Sequence, residues 1–443
     1  MNVFDTAVIG GGVLGCLTAR SLTRYRMTSV LIEAAEDVCT GITKANSSVV
    51  YSGCDHYPGS MKAEMAVRSN ASFGQLCDEL DVSFSRCGSL LVAFGPEGER
   101  KLRDKYRRGL ENGVPGISIL SSSEAREIEP MLSYDVRAAL FAPTAGTVNP
   151  WQLGIAAFEN AGANGCEMRL SSKVLWIGEE ENTYRIGTTR GEILARTVIN
   201  CAGIQSAAVQ RMLTGGGTDI RLDGTDYLVF DSDMPKPKVI LFEELETGKG
   251  VTAVPCTEGN LLVESPPRPY APDFATTQEG IESIRKLAQN LLPSLDFSRI
   301  IRSFGAVRPN PVTPDGRNIR DFCIEHPSRG FYSVIGVKTP GLTCADAIGM
   351  YLSGMCAKEL SAEPNPAFDP VRKAIDIHTG SPVVCQCGNI DENAVREAVR
   401  RGAVTVDGVK RRIGTGMGRC QGSRCSYRIG EILREQIANG GAV

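Results

Sequence analysis

The sequence has no excess of charge of either sign: 48 Lys and Arg stand against 51 Asp and Glu, a formal net charge of -3 over 443 residues. That balance argues against nucleic acid as the main partner, since duplex binding rests on neutralising many phosphates with cations. No stretch approaches the roughly 18 to 20 uninterrupted apolar residues of a membrane helix, so no integral membrane segment is expected. The opening MNVFDTAVIGGGVLG has no basic n-region and no small-residue cleavage site, and glycines interrupt its apolar run. The expectation is a cytoplasmic chain that reaches a membrane only peripherally, through partners. Nor is there a compositional sign of disorder, with 42% hydrophobic and 22% charged residues.

The chain is too long for one ordinary core and long enough for two or three domains, so a large cofactor can be buried at a junction. Glycine is abundant at 48 residues, as expected where backbone must approach a cofactor closely. Fifteen cysteines without a secretory signal read as reduced thiols. Eleven are scattered singly and read as small buried apolar residues, while four cluster near the C-terminus.

The strongest local pattern is at the start. Thr6 to Ile9 form an apolar run, Gly10-Gly11-Gly12-Val13-Leu14-Gly15 a turn, Cys16 to Leu22 a helical stretch, and Ser29 to Glu33 a second strand ending in an acid. Strand, glycine turn, helix, strand and acid within about thirty residues form a dinucleotide-binding unit. Gly10 permits the tight turn, Gly12 lets backbone reach a pyrophosphate and Gly15 lets helix and strand pack closely. The helix N-terminus offers free N–H groups to phosphates, and Glu33 would accept hydrogen bonds from the adenosine ribose.

This pattern alone does not separate NAD from FAD. The segment from Gly41 to Gly53, followed by His56-Tyr57-Pro58-Gly59-Ser60-Met61-Lys62-Ala63, is a polar loop of small residues where a nicotinamide domain would continue with another helix. Such a loop could line an isoalloxazine ring with backbone and hydroxyl donors.

Here the chain resembles the FAD-dependent oxidoreductases of the D-amino-acid oxidase type, in the branch of glycerol-3-phosphate dehydrogenases and L-2-hydroxyglutarate oxidases. The matching pieces are Ala45-Asn46-Ser47 and Tyr57 to Ala63, Gly146-Thr147-Val148-Asn149-Pro150, Val198 to Gly203, Gly305-Ala306-Val307-Arg308-Pro309 with Pro314-Asp315-Gly316, and Gly336 through Thr343. The resemblance implies an α/β fold: a Rossmann-like FAD domain from residues 1–75, 145–215 and 305–362, with an antiparallel-sheet substrate domain from 76–144 and 216–304. Strands are expected at Ser89 to Phe94, Tyr227 to Phe230, Val239 to Phe242 and Asn260 to Glu264, and a helix from Ile281 to Leu292. FAD contacts are implied for Gly10, Gly12, Val13, Leu14, Gly15, Glu33, Ala34, Lys44, Ala45, Asn46, Ser47, Ser48, Val174, Ala202, Gly203, Pro340, Gly341, Leu342 and Thr343. The branch usually carries His where this chain has Tyr51, so any role of that His, covalent flavin attachment included, does not transfer.

Three residues are implied as catalytic. Arg308 stands where the family places a cation near the flavin's reactive face, and a planar guanidinium holds a carboxylate or phosphate bidentately. Lys338 is a second cation in the loop that should pass the flavin. His56 could take a hydroxyl proton while hydride leaves for the flavin.

Proline-rich Ala362 to Pro370 begins a linker to residue 376, and residues 377–443 form a small module. It contains Cys385-Gln386-Cys387, a helix from about Asp391 to Arg401, and Cys420 and Cys425, a C-x-C and a C-x4-C pair. Four thiolates on two turns suit zinc or an iron-sulfur cluster. The spacing and the glycines before Cys420 resemble the bacterioferritin-associated ferredoxin-like domain, which implies a 2Fe-2S cluster in an α-rich domain. Lys410, Arg411, Arg412, Arg419, Arg424 and Arg428 crowd this module, either offsetting the cluster's charge or docking an acidic partner.

The function expected is a dehydrogenase oxidising a small anionic hydroxy substrate, glycerol 3-phosphate or a 2-hydroxy acid, through FAD. Electrons would then leave by the cluster to an acceptor protein or quinone. Two alternatives are an amino-acid or amine dehydrogenase subunit, of the hydroxyproline or opine kind that often works in hetero-oligomers, and a non-catalytic electron-transfer subunit.

Overall fold

The computed structural model describes residues 2–270 and 274–438. Its N-terminal module is built on a parallel sheet in the spatial order Glu167–Arg169, Ser29–Ile32, Val3–Ile9, Gly191–Asn200, Phe331–Ile335. The central strand, Val3–Ile9, alternates its side chains between two cores. Ala7 and Ile9 pack with Val30 and Ile32 under the antiparallel strands Val174–Glu180 and Thr183–Thr188. On the opposite face Val8 joins Leu22, Ile348 and Leu352, contributed by the helices Val13–Leu22 and Gly341–Leu360. The module is therefore three-layered, with its first strand in the middle of the sheet.

The second module is a nine-stranded, largely antiparallel sheet. The strands foreseen around residues 89, 227, 240 and 261 all belong to it, as Ser89–Ala93, Asp219–Phe230, Ile240–Leu245 and Leu261–Glu264. The helix foreseen at 281 is Gln278–Leu291, started by a Thr277 side chain that accepts from Gly280 N–H. Its Ile284, Ala288 and Leu291, four and three residues apart, seal one face of the sheet together with Leu90, Leu228, Leu241 and Val263. The other face looks toward the first module, and Tyr51, Phe242 and Phe304 pack there.

The proline-rich connection is tied down along its length. Arg24 lies over the Phe368 ring at 4.5 Å, Asn160 Nδ2 donates to the Asp369 carbonyl at 3.0 Å, and Arg372 pairs with Glu159 at 2.7 Å. Beyond it the hairpin strands Val383–Cys385 and Ile390–Asp391 and the helices Glu392–Arg400, Val406–Ile413 and Ser426–Ala438 share a core of Val395, Val399, Val409 and Ile432.

Candidate active site and cluster site

The residues foreseen for FAD converge at one edge of the parallel sheet. Gly10 follows Val3–Ile9, Glu33 and Ala34 follow Ser29–Ile32, Ala202 and Gly203 follow Gly191–Asn200, and Pro340 to Thr343 follow Phe331–Ile335. All lie beyond the carboxyl ends of parallel strands, where open α/β sheets bind ligands. Val174 begins a strand of the layer beneath.

The donor set fits a dinucleotide. Gly12 caps the first helix without a side-chain acceptor, and Thr43 Oγ1 accepts from Val13 N–H at 3.0 Å. The amides of Leu14 and Gly15 have no partner among the described residues and are available to a phosphate. A Cβ on Gly15 would sit 1.8 Å from the Gly10 carbonyl oxygen, so only glycine allows this packing. Glu33 accepts from Gly11 N–H at 2.6 Å and from Ala35 N–H at 2.8 Å, which fixes its carboxylate beside the turn. Lys44 ends a short 3-10 turn, Ile42–Lys44, and Ala45 closes it. Asn46 then shapes the loop by donating to Thr43 O at 2.9 Å and accepting from Ser48 N–H at 2.8 Å, with Ser47 between them. Thr343 Oγ1 accepts from Tyr51 N–H at 2.9 Å, joining this loop to the start of the helix Gly341–Leu360. That helix opens at Pro340 and Leu342 with no side-chain cap, so its first amides face the same edge.

Arg308 comes from the long strand Ile300–Val312, opposite Asp223. The other interior arginines hold carboxylates: Arg20 with Glu79 at 2.6 Å, Arg268 with Asp226 at 2.6 Å, Arg412 with Asp37 at 2.8 Å. Among the described residues Arg308 has no carboxylate within 4 Å and donates only to Thr339 Oγ1, at 3.3 Å. Burial works against its charge, and Glu264, followed by Tyr227 and Tyr51, more than restores it. Lys338 Nζ donates to Asn310 Oδ1 at 2.5 Å, and Asn310 Nδ2 donates to Asp223 at 2.8 Å, so the two foreseen cations share one polar corner. Burial and the neighbouring Arg308 both lower the Lys338 ammonium from its ordinary range.

His56 stands apart from that corner. Its charged neighbours are Asp55, Lys62, Asp321 and Lys105, and its carbonyl accepts from Asn112 Nδ2 at 2.9 Å. Its Nε2 is buried without a partner among the described residues, and burial keeps the imidazole neutral despite Asp55.

Three site residues were not anticipated. Glu264, Lys249 and Tyr227 lie on the face that carries Arg308, with Lys249 Nζ 2.9 Å from Glu264 Oε2. Tyr227 stacks on Phe304 with ring centroids 4.6 Å apart. Alternation along Tyr227 to Phe230 and Leu261 to Glu264 marks the strands but does not say which face meets the cofactor. An acid closing an apolar strand was the one available signal.

In the C-terminal module Cys385 and Cys425 are buried, Cys387 is exposed and Cys420 half-buried. Cys387 and Cys420 have their sulfurs 3.6 Å apart, and Cys385 adjoins Cys425. Among the described residues the thiols stand as two pairs and not as one convergent set of three or more, which suits two irons sharing their sulfides. Backbone N–H groups of Gly422 and Arg424 lower the Cys420 thiol from its ordinary range and favour the thiolate a cluster needs. A Cβ on Gly418 would lie 2.5 Å from Cys387 Cβ, so glycine is required for the loops to approach.

The basic residues of this module are mostly bound within the chain. Arg411 and Arg412 hold Asp37, Arg419 holds Asp231 at 2.8 Å, and Arg428 holds Glu392 at 2.9 Å. A partner could claim few of them without breaking these pairs.

Comparison with known proteins agrees with both modules. Residues 5–355 match the family model of FAD dependent oxidoreductases, and residues 383–435 match that of the BFD-like [2Fe-2S] binding domain. A glycerol 3-phosphate dehydrogenase of Caloramator mitchellensis is 35% identical over 98% of this chain and 95% of its own length. The mitochondrial L-2-hydroxyglutarate dehydrogenase of Homo sapiens is 26% identical over 81% of this chain and 88% of its own. The structure of the L-alpha-glycerophosphate oxidase of Mycoplasma pneumoniae, with FAD bound, superposes with a TM-score of 0.75 over 84% of this chain and 99% of its own, at 22% identity. The chain belongs to the FAD-dependent oxidoreductase family and carries a BFD-like 2Fe-2S domain at its C-terminus.

Proposed function

We propose that this oxidoreductase is a dehydrogenase of small anionic hydroxy compounds, glycerol 3-phosphate foremost and 2-hydroxy acids second. The observation that carries the reading is the uncommitted guanidinium of Arg308 on the sheet face that looks toward the FAD module. A half-buried guanidinium that Glu264 keeps charged from a distance, with no carboxylate in contact among the described residues, is suited to receive a ligand's anion. Arg308 would hold the phosphate or carboxylate bidentately, with Lys338 as a second cation at the same corner. His56, its Nε2 unpartnered among the described residues, would take the hydroxyl proton only from a part of the substrate that extends away from the Arg308 corner. When bound, FAD supplies the hydride acceptor and the 2Fe-2S cluster a one-electron outlet.

The final acceptor in this reading is a protein or a quinone reached through partners. No helix among the described residues is long and apolar enough to cross a membrane. Anaerobic addition of glycerol 3-phosphate to the purified holoprotein should bleach the flavin absorbance without releasing ammonia. Bleaching by amino acids alone, with ammonia or an amine produced, would transfer the chemistry to a C–N bond.

A further inference from the structure

Five strands line up Phe242, Thr252, Glu264, Tyr227 and Phe304 across the face of the sheet that looks toward the FAD module, each opposite the next in register. Glu264 is the only acid in that row and is 2% exposed. It is paired with Lys249 at 2.9 Å and lies on the same face as Arg308, two alternations along the neighbouring strands. A carboxylate offers about four acceptor positions, of which Lys249 and the Tyr227 hydroxyl occupy two and leave the others for a ligand. Burial acts to raise this carboxyl, and Lys249 and Arg308 outweigh it, so it stays ionised below the ordinary carboxylate range.

The site is therefore polarised. At one end two cations, Arg308 and Lys338, lack a carboxylate within salt-bridge reach among the described residues. At the other, an anion has already neutralised the third cation, Lys249. We infer that Glu264 sets the substrate class: one anionic group at the Arg308 end and a neutral hydroxyl end that donates to Glu264, as in glycerol 3-phosphate. A second carboxylate, as in 2-hydroxyglutarate, would meet Glu264 in a site of low dielectric and find Lys249 already taken. This rests on the anion-anchoring role proposed for Arg308.

The test uses ketone products, which bind the oxidised holoenzyme without turnover. Dihydroxyacetone phosphate and 2-oxoglutarate are titrated against wild type, Glu264→Gln and Arg308→Lys, and the dissociation constants are read from the perturbed flavin spectrum and by calorimetry. Wild type should prefer the phosphate. Glu264→Gln should weaken it roughly tenfold and tighten the dicarboxylate by about as much, because repulsion is removed and Lys249 is released. Should that variant not fold, the pair Lys249→Met with Glu264→Leu leaves no charge buried at the pair and should narrow the preference in the same direction. An unchanged ratio of the two constants, or a wild type that prefers the dicarboxylate, overturns the role of Glu264 while leaving Arg308 as the anchor if Arg308→Lys weakens both ligands. Failure of wild type to bind either ligand overturns both.

Discussion

The arginines that hold Asp37 and the arginine of the substrate sheet lead to opposite conclusions. At the junction of the first and last modules, Asp37 is fully buried and accepts from Arg411 at 2.8 Å and from Arg412 at 2.8 and 2.9 Å. On the substrate sheet, half-buried Arg308 has Tyr227 and Tyr51 among its neighbours and no carboxylate within 4 Å among the described residues. The first group is closed, with both guanidiniums bonded to one carboxylate inside the chain, and its role is to hold two modules together. The second is open: Glu264 favours its charge from beyond contact distance, and its N–H donors are left for a ligand. A charge buried during folding must find its partner in the chain or leave a place for one. The missing carboxylate, not the depth of burial, marks the functional site.

If Asp37 is purely architectural, its loss should separate the modules before it affects chemistry. Asp37→Asn leaves two guanidiniums facing a neutral amide in a dry junction and should cost up to about 5 kcal/mol. The expected result is a C-terminal module that melts early or is clipped by protease at the connection, with flavin retained in the rest. The same loop touches the glycine turn, since Cys39 N–H donates to Gly11 O at 2.8 Å. Some weakening of FAD binding should therefore accompany the loss. A variant that melts as wild type, with its cluster intact, would show the triad to be dispensable.

Arg308 should behave in the opposite way. Arg308→Lys keeps the charge and loses the planar fork, so kcat/KM should fall roughly a thousandfold, about 4 kcal/mol, with thermal stability unchanged or raised. A large drop in stability would place Arg308 with the closed group.

How much of this contrast could be read from the sequence depends on range. The glycine turn and Glu33 were legible because all their parts lie within thirty residues and each glycine has a local steric reason. The four cysteines were legible for a similar reason: their thiols sit on two short loops, and the pairs Cys385 with Cys387 and Cys420 with Cys425 are close in the chain. Arg308 was found through its family motif, not through periodicity. Glu264 and Lys249 were missed because their meaning comes from register: only the pairing of Tyr227 with Glu264 and of Asp223 with Arg308 puts them on one face. The grip of Arg411 and Arg412 on Asp37 spans about 375 residues, and in sequence those arginines read as counter-charge for the cluster or as a surface for an acidic partner.

One buried acid fits neither group and tests whether the rule extends to carboxylates. Glu243, in Ile240–Leu245, points to the sheet face opposite Phe242, where its only hydrogen bond among the described residues is from Val251 N–H at 3.1 Å. A Cβ on Gly250 would be 2.2 Å from its Oε2, so the strand beside it is pressed against the carboxyl. Burial pushes this carboxyl up to about 7, and the Val251 amide offsets little of that. The folded state thus holds the proton more tightly than the unfolded chain, whose Glu titrates near 4.3. A raised folded value means the favourable contribution is complete below the unfolded value and is lost as pH rises through about 7. Glu243→Gln keeps an acceptor for Val251 and carries no charge at any pH. It should match wild type near pH 4 and exceed it at pH 8, by at most about 3 kcal/mol in chemical denaturation. A difference that does not change between those pH values would mean that a cation or water answers Glu243 in solution, and the acid would then join the closed group with Asp37.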